Sequence, residues 1–185
     1  MPETFPPPAD LAGLGLAEIA LLAEQRKLPP VEKWNPTHCG HSQMRIARDG
    51  TWFHEGSPIG RPAMVRLFSS ILRREPDGGF VLVTPFEKLD IDVEDAPFIA
   101  VEVKSEGDGA QRRLAFRLNT GDLVVAGPER PLRLAARPYL TVRAELDALI
   151  ARPVYYELAE LALAEGATPP GLWSDGTFFP LEGGA

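Results

Sequence analysis

The sequence predicts an α+β protein of two similar antiparallel strand-plus-helix halves, an internal duplication, behind an N-terminal helix. Three observations predict it. Short alternating apolar runs are joined by glycine turns such as Asp49-Gly50 and Thr120-Gly121. Apolar helical stripes begin beside the pairs Arg61-Pro62 and Arg152-Pro153. The order strand, turn, strand, glycine, proline, helix recurs along the chain. The expected parts are an N-terminal arm and helix over residues 1–30, a first half over 31–106 and a second over 107–185.

The arm, MPETFPPPAD, is proline-rich, and Asp10 is placed to cap a helix from Leu11 to about Lys27. Leu11, Leu14, Ala17, Glu18, Leu21, Leu22 and Gln25 fall along one side of that helix, and Leu28-Pro29-Pro30 stops it. Val31 to His41 reads as a loop. Gln43–Ala47 and Thr51–His54 form a hairpin around Asp49-Gly50. Pro62 then opens a helix whose Met64, Leu67, Phe68, Ile71 and Leu72 form an apolar stripe, with Arg66, Ser69, Ser70 and Arg73 off it. Phe80–Thr84, Leu89–Val93 and Phe98–Lys104 are strands rich in Val, Ile and Phe.

In the second half, Leu114, Phe116 and Leu118 alternate with Ala115, Arg117 and Asn119, and Asn119-Thr120-Gly121 turns the chain into Leu123–Ala126. Tyr139–Val142 is a strand, followed by a helix from about Arg143 that Arg152-Pro153 interrupts and Val154–Ala164 resumes. Arg45–Gly56 aligns with Phe116–Gly127, and Asp175-Gly176-Thr177-Phe178-Phe179 echoes Asp49-Gly50-Thr51-Trp52-Phe53. That alignment puts Arg61 and Arg143 at equivalent helix starts.

The 185 residues carry a formal charge of -7, against a general DNA or RNA binder, which needs a cationic surplus to displace counterions. The charge is uneven. Seven arginines against Asp122 and Glu129 lie between Ala110 and Arg143, whereas Glu87, Asp90, Asp92, Glu94 and Asp95 stand against Lys88 alone. One cysteine, Cys39, excludes an internal disulfide. No run approaches the length of a membrane span and no signal peptide is visible, so the expected compartment is the cytoplasm.

His38-Cys39-Gly40-His41, with His54 nearby, has metal-ligand chemistry but lacks the paired spacings of structural zinc sites, so neither a metal nor a cofactor is expected. No nucleophile elbow, zinc-protease helix or Walker loop is present. Arg61 stands at a helix N-terminus, where free N–H groups favour anions, and Arg66 follows about one and a half turns along. Guanidinium groups bind phosphate in bidentate fashion, and Tyr155, Tyr156 or Trp52 offers a ring for a base to stack on. Thr84 and Glu87, polar in an otherwise apolar segment, either line the same pocket or serve local pairing.

Asp49–Ile59, the helix Val65–Leu72 and Leu82–Lys88 resemble the bacterial family catalogued as domain of unknown function 1285, as do Val93–Phe98, Tyr155–Leu158 and Trp173–Gly176. The resemblance runs from Trp34 to Phe179. It implies a duplicated domain with no assigned enzymatic activity, whose C-terminal half is loosely pleckstrin-homology-like. It also implies a nucleotide-like ligand at the domain interface and a role in signalling.

The expectation is therefore a non-catalytic module for a nucleotide-like, phosphorylated or other anionic ligand between the halves. Its expected ligand-binding residues are Arg61, Arg66, Thr84, Glu87, Arg143, Tyr155 and Trp52. Two alternatives stand beside it: a phosphoester or nucleotide hydrolase using a carboxylate such as Glu87, and a protein-interaction module that uses strand edges, with no ligand and a signalling protein as partner.

Overall fold

The computed structural model describes residues 13–182, so the arm, the Asp10 cap and Leu11 lie outside the described residues. The chain forms two compact units. One comprises Lys27–Pro97 with Ala144–Leu146; the other comprises Phe98–Arg143, Asp147–Ala185 and residues up to Arg26. The class is mixed α+β, with two six-stranded sheets and three helices among the described residues.

Helix α1 (Leu16–Gln25) comes first in the chain. The 27–97 unit then contains strands β1 (His38–Ile46), β2 (Trp52–His54) and β3 (Ser57–Pro58), helix α2 (Pro62–Ser70), and strands β4 (Leu72–Arg74), β5 (Phe80–Val83) and β6 (Glu87–Val93). Its sheet order is β3-β2-β1-β6-β5-β4. β1 turns into β2 at Asp49-Gly50, where Gly50 takes φ 89°, a conformation that side chains disfavour. The N–H and hydroxyl of Thr51 bond the Asp49 carboxyl and hold it below the ordinary aspartate range.

Met44, Ile46, Trp52, Leu72, Val81, Leu82, Val83 and Ile91 are buried in this unit. Trp52 stacks on Phe68 of α2, with ring centroids 6.5 Å apart. Arg73 clamps the preceding segment: its guanidinium donates to the carbonyls of Val31 and Trp34, both at 2.7 Å, and to Glu75.

The other unit contains β7 (Phe98–Glu106), β8 (Arg113–Leu118), β9 (Leu123–Val125), β10 (Leu132–Arg133), β11 (Tyr139–Arg143) and β12 (Leu146–Ile150). Helix α3 (Arg152–Glu165) and the hairpin β13 (Gly171–Ser174) and β14 (Thr177–Pro180) follow. The sheet order is β10-β11-β12-β7-β8-β9. α1 lays Leu16 and Ile19 on Ala115, with Leu14, Leu123 and Val125 around them. Gly166, at φ 69°, ends α3 in the left-handed conformation that a helix terminus favours. Glu165 accepts from the Arg112 guanidinium and from the N–H of Gly109, which together hold its carboxyl below the usual range.

Both sheets follow one plan. Three strands form an antiparallel meander, three more form a second, and the first and last strands pair in parallel, β1 with β6 and β7 with β12. The aligned segments do not follow that plan. Arg45–Gly56 covers the hairpin β1–β2, the start of its sheet, whereas Phe116–Gly127 covers β8–β9, one strand later. Glycine turns made the two hairpins look alike, because any tight turn needs such a residue.

Four further expectations are corrected. No helix starts at Arg143, which ends β11; Ala144 at φ 46° turns the chain into β12, and the alternation Leu146, Ala148, Ile150 is that of a half-buried strand. The helix after β12 starts at Arg152-Pro153. The α2 stripe is mispositioned: the helix stops at Ser70, Leu72 belongs to β4, Met64 and Leu67 are exposed, and Ser69 is fully buried. α1 buries Leu16 and Ile19 and leaves Leu21 and Leu22 in solvent. Finally, β7, expected in the first half, pairs with β8 and β12.

Candidate functional site

The seven expected ligand-binding residues divide between the units. Arg61, Arg66, Thr84, Glu87 and Trp52 lie in the 27–97 unit, and Arg143 and Tyr155 in the other. Trp52 is 2% exposed and is a core residue, so its ring is closed to a ligand. The Thr84 hydroxyl oxygen accepts the N–H groups of Phe86 at 3.2 Å and Glu87 at 3.1 Å, and so organises the turn between β5 and β6. Arg143 lays its guanidinium over the Phe98 ring, 5.4 Å from the centroid. Tyr155 is half-buried on α3, its ring 6.4 Å from that of Tyr156. Arg66 is half-buried on α2. Arg61 is exposed at the N-cap of α2, with no acidic residue in the first turn. The Glu87 carboxylate stands 4.0 Å from His38 Nε2, with both side chains substantially exposed.

The segment His38 to Ser42, whose first four residues fall in the expected loop Val31 to His41, is the amino-terminal half of β1. It pairs in parallel with β6: His38 with Glu87, Cys39 with Lys88, Gly40 with Leu89 and His41 with Asp90. β2 pairs with β1 only from Met44 to Ile46. Gln43, at φ 60°, bulges between the two stretches, and its carbonyl accepts the N–H of Glu55 at 2.9 Å as the β2–β3 turn begins. On the side away from β6, no strand lies beside His38–Ser42 among the described residues, and His38 to His41 are all exposed.

The polar groups around this edge are ordered. The N–H of Gln43 donates to His41 Nδ1 at 2.8 Å, so the imidazole proton sits on Nε2, which faces Asp92 Oδ1 at 3.3 Å. The Ser42 hydroxyl donates to the Asp90 carbonyl at 2.8 Å and accepts the N–H of Met44. Lys88 lies 3.9 Å from Glu75. The Asp90 carboxylate has no partner among the described residues.

These residues do not form a metal centre. His38 and Gly40 point to one face of the strand, Cys39 and His41 to the other, and His41 spends both nitrogens on protein groups. Among the described residues, no three His, Cys, Asp or Glu side chains gather to hold a metal ion. Sequence reasoning missed the edge because Thr37–Ser42 is polar and has no alternating apolar pattern; the pairing with β6 is what makes it a strand.

Two family models match the chain: "Domain of unknown function (DUF1285), N-terminal domain" over residues 29–96, and "Protein of unknown function (DUF1285), C-terminal domain" over residues 97–181. The chain is also 50% identical to a DUF1285 family protein from Silicibacter pomeroyi DSS-3 of known crystal structure. That match has a TM-score of 0.77 and covers 88% of this chain and 93% of that one. The chain belongs to the DUF1285 family. A second DUF1285 structure, from Shewanella baltica OS155, is 25% identical with a TM-score of 0.54, covering 64% of this chain and 91% of that one. No curated protein matches this DUF1285 chain. The two family models meet between residues 96 and 97, next to the point where the structural units divide. No described helix of this DUF1285 protein is long and apolar enough to cross a membrane.

Proposed function

We propose that this protein is a non-catalytic interaction module with a regulatory or signalling role, and that it engages its partner by main-chain pairing along β1. The observation that carries the reading is the unpaired stretch His38–Ser42, where backbone donors and acceptors face solvent at the edge of an ordered sheet. Such an edge is a template for another strand, and proteins ordinarily shorten, charge or cover it. The outer edges of the two six-stranded sheets are managed in that way. β3 has two residues and ends in Pro58, β4 has three, β10 has two, and α1 packs against β9. Residue-resolved hydrogen exchange tests the reading. Alternate amides between His38 and Ser42 are expected to exchange as freely as unstructured chain, while those of β5 and β6 are protected. Uniform protection of His38–Ser42 in the isolated monomer overturns it.

A second reading, an anionic or nucleotide-like ligand, is favoured by Arg61. Its guanidinium is exposed at the α2 N-cap, Pro62 follows it, and no first-turn acid competes for the helix N-terminus. Under this reading, ATP or inorganic phosphate raises the thermal midpoint of the wild type, and Arg61→Ala removes the rise. An unchanged midpoint with both ligands sinks it.

A further inference from the structure

The charge around the open edge selects among the strands that can pair with it. This inference rests on the proposed role of β1. In a parallel pair, opposed residues share a face, so Cys39 and His41 line the same side of the sheet as Lys88, Asp90 and Asp92. Asp90 lies directly opposite His41, and Asp92 contacts its ring. Both aspartates are exposed. Lys88 lies 3.9 Å from Glu75, and the His41 imidazole accepts at Nδ1 and faces Asp92 with Nε2. The face one strand inward from the edge thus carries Asp90 and Asp92 beside Lys88, while Arg45, opposite Asp92, is held by Glu94. Glu87 adds a third carboxylate on the opposite face, beside His38.

The geometry points to a partner that is an extended segment of another protein with lysine or arginine at alternate positions. Laid beside His38–Ser42, such a strand forms main-chain hydrogen bonds to β1. It projects its cations on the Cys39 and His41 face, past the His41 ring, toward Asp90 and Asp92. Diagonal and next-strand distances of about 7–10 Å are within reach of long basic side chains. A second copy of this chain, pairing edge to edge, would instead bring two such acidic faces together. Like charges at that range are unfavourable and give the negative selection that specificity needs.

The probes are three synthetic strands, acetyl-TKVKVKT-amide, acetyl-TEVEVET-amide and acetyl-TTVTVTT-amide, titrated into the full chain at low salt. The basic strand is expected to protect the amides of His38–Ser42 and to bind at least about tenfold more tightly than the acidic one. A D90N/D92N double variant, whose changes lie at exposed positions, is expected to lose most of that preference, as is the wild type in about 1 M salt. A basic strand methylated at alternate backbone nitrogens is expected to lose binding whatever its charge. Equal binding of the basic and acidic strands overturns the inference and leaves the edge reading standing. Failure of all three strands to protect His38–Ser42 overturns both. Protection that grows with protein concentration in the absence of peptide assigns the edge to a second copy and overturns the inference.

Discussion

Trp52→Ala is expected to lose about 3–5 kcal/mol of stability, the cost of emptying a buried large aromatic site. Trp52 is 2% exposed, heads β2 and stacks on Phe68, so its ring ties the first hairpin to α2. Against a domain stability of about 5–15 kcal/mol, that loss removes a large part of the whole. Urea unfolding followed by circular dichroism checks it. Trp52→Phe is expected to behave far better. It keeps most of the packed ring and removes an indole N–H that is buried without a partner among the described residues, so part of the lost contact is offset. A fully stable Trp52→Ala protein would mean that the ring is not part of the core and would restore it as a ligand platform.

The second large effect is expected at Ser174, a fully buried residue of β13. Its hydroxyl donates to the Ala126 carbonyl at 2.7 Å and accepts the N–H of Leu114 at 2.9 Å. One oxygen thereby satisfies two backbone groups that flank the β8–β9 hairpin. Ser174→Ala leaves both without their partner, and each buried orphan costs about 1–3 kcal/mol. The midpoint of chemical denaturation is expected to fall accordingly with its slope unchanged. A loss below about 1 kcal/mol would show that water or a backbone shift replaces the hydroxyl.

Much of the fold was legible from local chemistry. Gly50, Gly121 and Gly176 mark turns because each adopts positive φ, and all three hairpins form where those residues stand. Arg61-Pro62 and Arg152-Pro153 mark helix starts because proline gives up nothing at the first turn. Helix faces were less legible. Leu21 and Leu22 look as apolar as Leu16 and Ile19, and only the position of β8 and β9 decides which pair is buried. Leu146–Ile150 has the composition of either a helix or a strand, and pairing with β7 settled it.

The expected site shows the same division. Arg61 was found correctly as a helix-start cation, because that property depends on its immediate neighbours. Trp52 was named for its ring, Thr84 for its polar place in an apolar segment and Arg143 for an expected helix start, and their partners in the structure are Phe68, the Phe86 and Glu87 amides, and the Phe98 ring. An open strand edge leaves no mark on a polar run such as His38-Cys39-Gly40-His41.

By itself, then, the sequence determined the α+β class, the glycine turns, the two helix starts marked by Arg-Pro and the family, because each rests on backbone preferences or on runs of residues a few positions long. The tertiary structure alone decided which helix faces are buried, that His38–Ser42 is a strand, and that one side of it has no neighbouring strand among the described residues. Those properties belong to pairs of segments far apart in the chain. β1 and β6 meet across some fifty residues, from His38 opposite Glu87 to Ile46 opposite Val93, and no local preference encodes which edge such a meeting leaves open.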